Sequence, residues 1–222
     1  MGFLLRGALI EYGVNLLGPI PNVVIFQFNP ENLSRTIQIP ERPTGSGSRE
    51  THQAGEVPLE KISLTAKFDA SDQLGENNII ARAVGLGPQL AALEKMVRPS
   101  GGNVGLLGMA VDAIGDAIFG GDETETQPIP RKTYPRVLFL WGLTRVLPVV
   151  IDSMRIEEKS FDFLLNPIRA EVTVGLTVIS PDNCADDVVA QGALEYSTIA
   201  KDNMAEANLA NTVSQIIDLI PF

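Results

Sequence analysis

The chain of 222 residues has one cysteine, one histidine and one tryptophan, and each scarcity excludes something. Cys184 alone cannot close an internal disulfide, which fits synthesis in a reducing cytoplasm. Asp182, Asp186 and Asp187 surround it with negative charge, so it reads as a structural thiol, not a nucleophile. His52 has no cysteine or second histidine at metal-ligand spacing. It also sits in a Gly/Ser-rich stretch, a poor place to hold a catalytic base. Gly85-Leu86-Gly87 runs into Pro88, and neither GxGxxG nor the P-loop spacing exists, so no phosphate-cradling loop is expected. Glu157 and Glu158 are adjacent on an expected strand and point to opposite faces, which rules out an acid/base pair. Asp69 and Asp72 lack the later ligands of a calcium loop, so Asp69 reads as a turn or cap residue. No apolar run reaches about 18 residues without charge, so no membrane-spanning helix or direct membrane insertion is expected. Met1–Arg6 has its one charge after the apolar residues and no small-residue cleavage site, unlike a secretory leader. No catalytic, cofactor-binding or metal site emerges, and scaffolding, not enzymatic activity, is the natural expectation.

What is present is an ordinary globular composition, 45% hydrophobic and 20% charged, enough for a substantial core without disulfides or metals. The net charge is −10 and uneven: residues 1–98 carry 9 Lys and Arg against 10 Asp and Glu, and the remainder carries 8 against 17. An acidic second half disfavours nucleic-acid binding. It suits a basic protein neighbour, a channel wall or simple solubility.

Apolar/polar alternation predicts strands. They are expected over Leu4–Gly13, Val23–Phe28, Leu33–Ile39 (half-buried), Leu59–Asp69, Arg136–Trp141 (buried on both faces), Arg145–Lys159 and Ile168–Ile179. The few residues between Phe28 and Leu33 suit a hairpin. Helix-like spacing covers Asn78–Val97, interrupted at Gly85–Pro88, with Pro88 opening the second part. Residues 40–55, rich in Gly, Ser and Pro, read as a flexible loop, either a solvated insertion or a segment that orders against a partner. Residues 99–130 read as a helical insertion, an apolar Gly/Ala-rich helix over Asn103–Gly121 and then an acidic, Pro-bounded linker over Asp122–Pro130. Ala185–Ile220 is Ala-, Asp- and Asn-rich and reads as helix. Two units follow: a β domain over 1–182 and a helical C-terminal extension over 183–222. The fold class is mainly β with helices (α+β), because hairpin-like strand pairs do not alternate with helices. A barrel or rolled sandwich would best manage the sheet edges.

Three stretches resemble one family. Val24–Arg35 (VIFQFNPENLSR) is similar to a signature near the start of inner-baseplate proteins of contractile injection systems. Pro58–Asp72 with Pro88–Glu94 (PQLAALE) resembles that family's strand, aspartate and helix. Pro135–Gly142 (PRVLFLWG), Arg145–Val149 (RVLPV) and Phe161–Ala170 (FDFLLNPIRA) resemble its most specific block. Order and spacing match over about residues 5–180.

The resemblance implies a tail-tube-like antiparallel β-barrel with a packed helix. Six copies would form a ring between spike hub and inner tube and initiate tube assembly, inside a phage-tail-like particle assembled in the bacterial cytoplasm. Implied partners are further copies of the chain, the hub or spike protein, the inner-tube protein and other baseplate subunits. The pattern falls on Phe26, Asn29, Pro30, Arg35, Trp141, Gly142, Arg145, Pro148, Phe161, Asn166, Pro167 and Arg169, which the resemblance marks as assembly residues. Relatives often end in a LysM domain. Here residues 185–222 are too few for it and Tyr196–Ala200 is a faint echo, so a peptidoglycan-binding baseplate protein is the alternative reading.

Overall fold

The structure, a computed structural model, describes residues 5–12, 22–40, 57–71, 83–99 and 134–219. The expected loop after Pro40, the first part of the expected helix (78–82) and the insertion over 100–130 lie outside the described residues.

Seven antiparallel strands form one open sheet: β1 (Ala8–Tyr12), β2 (Val23–Ile25), β3 (Leu33–Gln38), β4 (Leu59–Asp69), β5 (Arg136–Trp141), β6 (Arg145–Phe161) and β7 (Pro167–Val178). Their order is β2-β1-β5-β6-β7-β4-β3. Two α-helices are described, α1 (Gly87–Val97) and α2 (Val188–Leu219), with a short 3₁₀ turn at Pro181–Asn183. The fold class is α+β, mainly antiparallel sheet.

The period-2 pattern explains the centre of the sheet. Register sets Ile62 opposite Leu176, Leu64 opposite Val174, Ala66 opposite Val172 and Phe68 opposite Ala170. All eight side chains are buried. Their neighbours Lys61, Thr65, Lys67, Thr173 and Glu171 take the other face. Burial of such a side chain contributes about 1.5–3 kcal/mol. Leu9, Phe26, Val137, Phe139 and Leu147 extend the same core, and α1 adds Leu90, Leu93 and Met96. Pro88 sits at the start of α1 as its spacing predicts.

Three strand expectations need correction. The expected Phe28–Leu33 hairpin does not form, since β2 pairs with β1 and β3 pairs with β4, at opposite edges of the sheet. Short spacing fixed the connection length but not the partner. β3 is exposed beyond Leu33, not half-buried, because nothing described covers that edge. β5 buries Val137 and Phe139 on one face only, and its other face is partly covered.

The first correction sets the shape. Ile25 still pairs with Ala8 of β1, yet Phe28 bridges Lys67 of β4. Three residues reach about 10 Å. In a flat sheet the slot beside β4 would lie about 29 Å from β2, six spacings of about 4.8 Å. The chain therefore brings β2 and the β4 side of the open sheet close together at the 26–29 corner.

Candidate functional site

The corner is built by side chains that imitate backbone. Phe26 is buried and its N–H donates to the Gly7 carbonyl at 2.8 Å. The Gln27 amide donates to the Asp69 carbonyl at 2.7 Å and accepts from the Asp69 N–H at 2.8 Å. The Asn29 amide donates to the Leu5 carbonyl at 2.7 Å and accepts from the Gly7 N–H at 3.1 Å. One amide thus holds the end of β4 and the other the chain entering β1. Pro30, which has no N–H, follows where the ladder is broken.

A second polar knot closes the β6–β7 hairpin. One Asp162 carboxylate oxygen accepts from the Leu164 and Asn166 N–H groups at 2.7 and 2.8 Å. Asn166 Nδ2 donates to the other oxygen at 2.9 Å and to the Ala83 carbonyl at 3.0 Å. The Asn166 hydrogen bond, with those of the backbone, holds the Asp162 carboxyl below its usual pKa. The Pro167 carbonyl accepts from the Leu86 N–H at 2.9 Å, which docks the start of α1. Gly85 makes that docking possible: its φ is +56°, and a Cβ there would stand 2.4 Å from the Pro167 oxygen. At the hairpin tip Phe161, Phe163, Leu164 and Leu165 are exposed.

The remaining motif residues are spread along the sheet. Trp141 stacks on Phe139, with centroids 5.9 Å apart, on one face of β5. Gly142, at φ +66°, makes the β5–β6 turn, and Trp141 pairs with Arg145 across it. Pro148 pairs with Leu138 and its carbonyl accepts from the Ile179 N–H. Arg169 meets Asp69 at 2.8 Å. The Ser71 hydrogen bond first, and Arg169 as well, hold the Asp69 carboxyl below its ordinary range. Arg35 of edge strand β3 pairs with Glu60 at 2.7 Å, and Lys201 of α2 approaches the same carboxylate at 3.4 Å. Burial pushes Glu60 up, but the two cations outweigh it and the net shift is downward.

On the outer face of β4, β7 and β6 the named cations are matched in place. Lys67 pairs with Glu31, Lys159 with Glu171 and Arg155 with Glu157. Ser34, Ser63, Ser153 and Gly175 lie among them. A cleft of about 370 Å³ beside the corner is lined by Lys67, Lys159 and Arg169 with Glu31, Asp69 and Glu171. Each of those cations already has its carboxylate, so the cleft offers no spare charge to recruit an ionic ligand. No group of three or more potential metal ligands occurs among the described residues. No helix among them is long and apolar enough to cross a membrane. His52 lies outside them.

Helix α2 docks through one end. Asp187 accepts from the Ala190 N–H at 3.1 Å as its N-cap, and also takes the Tyr12 hydroxyl at 2.9 Å and Arg136 at 3.2 Å. Burial and this carboxylate push the Tyr12 phenol up. Burial first, then Asp187 and Asp182, also raise the Cys184 thiol. Ala190, Ala193 and Ser197 are buried, and Ser197 Oγ bonds both the N–H and the carbonyl of Val146. Residues 202–209 are exposed on every side.

Sequence reasoning picked Asn29 and Asn166 but passed over Gln27, Asp162, Asp187 and Glu60. Asp162 carried a readable signal, an Asp followed by backbone donors two and four residues on. Asp187 carried one as well, an Asp just before a helix with a backbone donor three residues on, whereas Glu60 carried none, because Arg35 and Lys201 lie 25 and 141 residues away in sequence. The chain matches no protein-family model, and no curated protein is significantly similar to it.

Proposed function

We propose that this protein is a structural ring subunit of a contractile injection system, a hexameric inner-baseplate ring that joins the spike hub to the inner tube and initiates tube assembly. In this reading the open sheet rolls into a tail-tube-like barrel drawn together at the 26–29 corner. The observation that carries the proposal is the corner itself: the FQFNP residues that resemble the family are the ones whose side chains bring β2 and the β4 side of the sheet together. Two further features support it. Strands β2 and β3 each keep an edge without a strand partner among the described residues, the kind of edge that a closed ring pairs between copies. The outer face of β4, β7 and β6 is polar and carries the Lys67–Glu31, Lys159–Glu171 and Arg155–Glu157 pairs, as suits the wall of a water-filled channel. A LysM-like wall binder fits less well. Its βααβ module needs two strands in the tail, whereas α2 runs unbroken through Tyr196–Ala200.

The test is affinity purification of the tagged protein from its native cell, with electron microscopy of what accompanies it. Sheathed rods tagged at one end are expected. A lone protein recovered from cells that make such rods would overturn the proposal.

A further inference from the structure

The two helices are held to the sheet by different means. Helix α1 buries three large apolar side chains, Leu90, Leu93 and Met96. Helix α2 buries only small ones, Ala190, Ala193 and Ser197, with Leu194 half-buried against the core. Its main ties are polar. Asp187 takes Arg136 and the Tyr12 hydroxyl at one end of the docked segment, and Lys201 takes Glu60 at the other. The Arg136 and Lys201 side chains are 43 and 42% exposed, so both ionic ties stand partly in water, where added salt screens them. From residue 202 to 209 the helix is exposed on every side.

Between these ties α2 seals a sheet edge. Strand β7 ends opposite Val149, and the Ile179 N–H makes one further bond to the Pro148 carbonyl. The start of β6 runs on past that point, with β5 on its other side. At Val146, Ser197 Oγ accepts from the N–H at 2.9 Å and donates to the carbonyl at 2.7 Å. Those are the two bonds that an opposite residue on an antiparallel strand would make. The Tyr196 hydroxyl donates to the Leu143 carbonyl nearby. Side chains of a helix thus stand in for a strand at an edge that would otherwise be open.

We propose that α2 is a detachable strap: its segment 187–201 leaves the sheet as one unit, with the seven strands still paired, and uncovers the β6 edge at Val146. A segment held by few buried apolar contacts opens at a lower free energy than the core beneath it. The ionic ties and the Ser197 bonds sit on one helix, so they are lost together. Release frees the Val146 N–H and carbonyl, the groups that an incoming extended segment would pair, and leaves Glu60 with Arg35 alone. The strap needs only this chain and stands whether or not the ring reading does.

The experiment is native-state hydrogen exchange of the full-length protein, read residue by residue by NMR. The Val146 amide is the reporter, because Ser197 holds it. The amides of residues 191–201 and of Val146 are expected to exchange about 100-fold faster, or more, than those of β4 and β7. Raising NaCl to about 1 M is expected to speed the α2 and Val146 amides about tenfold and leave β4 and β7 unchanged. Asp187→Asn, which keeps an N-cap but removes the charge, should do the same. Exchange of α2 and Val146 at the rate of β4 and β7 would overturn the proposal, since the helix would then open only with the whole fold. So would a Val146 amide that stays protected while α2 exchanges, or salt and variant effects of equal size in α2 and in the sheet.

Discussion

The 26–29 corner and the 161–166 hairpin tip use the same chemistry for opposite ends. In each, an Asn amide takes a backbone partner that no strand supplies, three residues after a phenylalanine. At the corner the phenylalanine points into the core and the amides tie the chain to the end of β4 and to the segment entering β1. At the tip the carboxylate and amide tie the turn to itself and to the segment before α1, and Phe163 stands in solvent. Motif residues of one chemical type therefore do not share one role. Whether the polar knot spans distant strands or closes a local turn decides whether the apolar neighbour is core or surface.

The sharpest way to break the comparison is to truncate the buried ring. Phe26→Ala is expected to cost about 3–5 kcal/mol, the usual penalty for emptying a packed aromatic site. Urea unfolding would read this, and a loss below about 1 kcal/mol would mean that the corner is not packed as described. Next are the amides. Gln27→Ala and Asn29→Ala each leave a backbone N–H and a carbonyl without their partners, at about 1–3 kcal/mol. Their double variant should cost the sum of the two singles to within about 0.5 kcal/mol if they hold different strands, since independent sites add. Asn166→Ala is smaller, about 1 kcal/mol, because Asp162 still holds the Leu164 N–H and the residue 166 N–H when the amide is gone. Limited proteolysis near Phe163 should quicken in that variant and not in Asn29→Ala.

The core was legible in the sequence wherever one strand had two neighbours. Alternation over Leu59–Asp69 and Ile168–Ile179 runs through the buried residues of β4 and β7, with half-buried Leu59 the exception, because period 2 and one covered face leave little freedom. It failed at β3, where Ile37 and Ile39 alternate just as well but are exposed. Periodicity reports which residues share a side, not whether anything covers that side. Pairing of β2 with β1 was illegible for a related reason. The four residues from Asn29 to Asn32 allow a hairpin, and only the distant partners of Gln27 and Asn29 at Asp69 and Gly7 exclude it. The motif residues were legible as a set, yet their roles divided among closure (Asn29), turn (Gly142), docking (Asn166, Pro167) and ion pairing (Arg35, Arg169).

Acid should probe a third place, where α2 meets the sheet edge. Glu60 has a depressed carboxyl pKa in the fold, held down by Arg35 and Lys201. Its contribution is fully present above the unfolded value of 4.5 and is lost as pH falls through the lower folded value. Wild type should therefore lose stability more steeply than Glu60→Gln below pH 4.5, with the two curves parallel above it. Urea midpoints at pH 7 and below pH 4.5 would show this. Parallel loss throughout would remove Glu60 from the acid response and leave Asp69, also depressed, as the next carboxylate to replace.

The smallest effect is the one that isolates the comparison. Phe163→Ser removes an aromatic ring as Phe26→Ala does, but from a residue 91% exposed. No cavity forms and no polar group loses its partner, because the turn is held by Asp162 and Asn166 and not by the ring. The urea midpoint should stay within about 0.5 kcal/mol of wild type. If Phe163→Ser instead costs about 2 kcal/mol or more, the ring packs against this chain and the tip is part of the core. A flat result, set against a large loss at Phe26, would assign the first phenylalanine to folding and leave the second free for contact with another molecule.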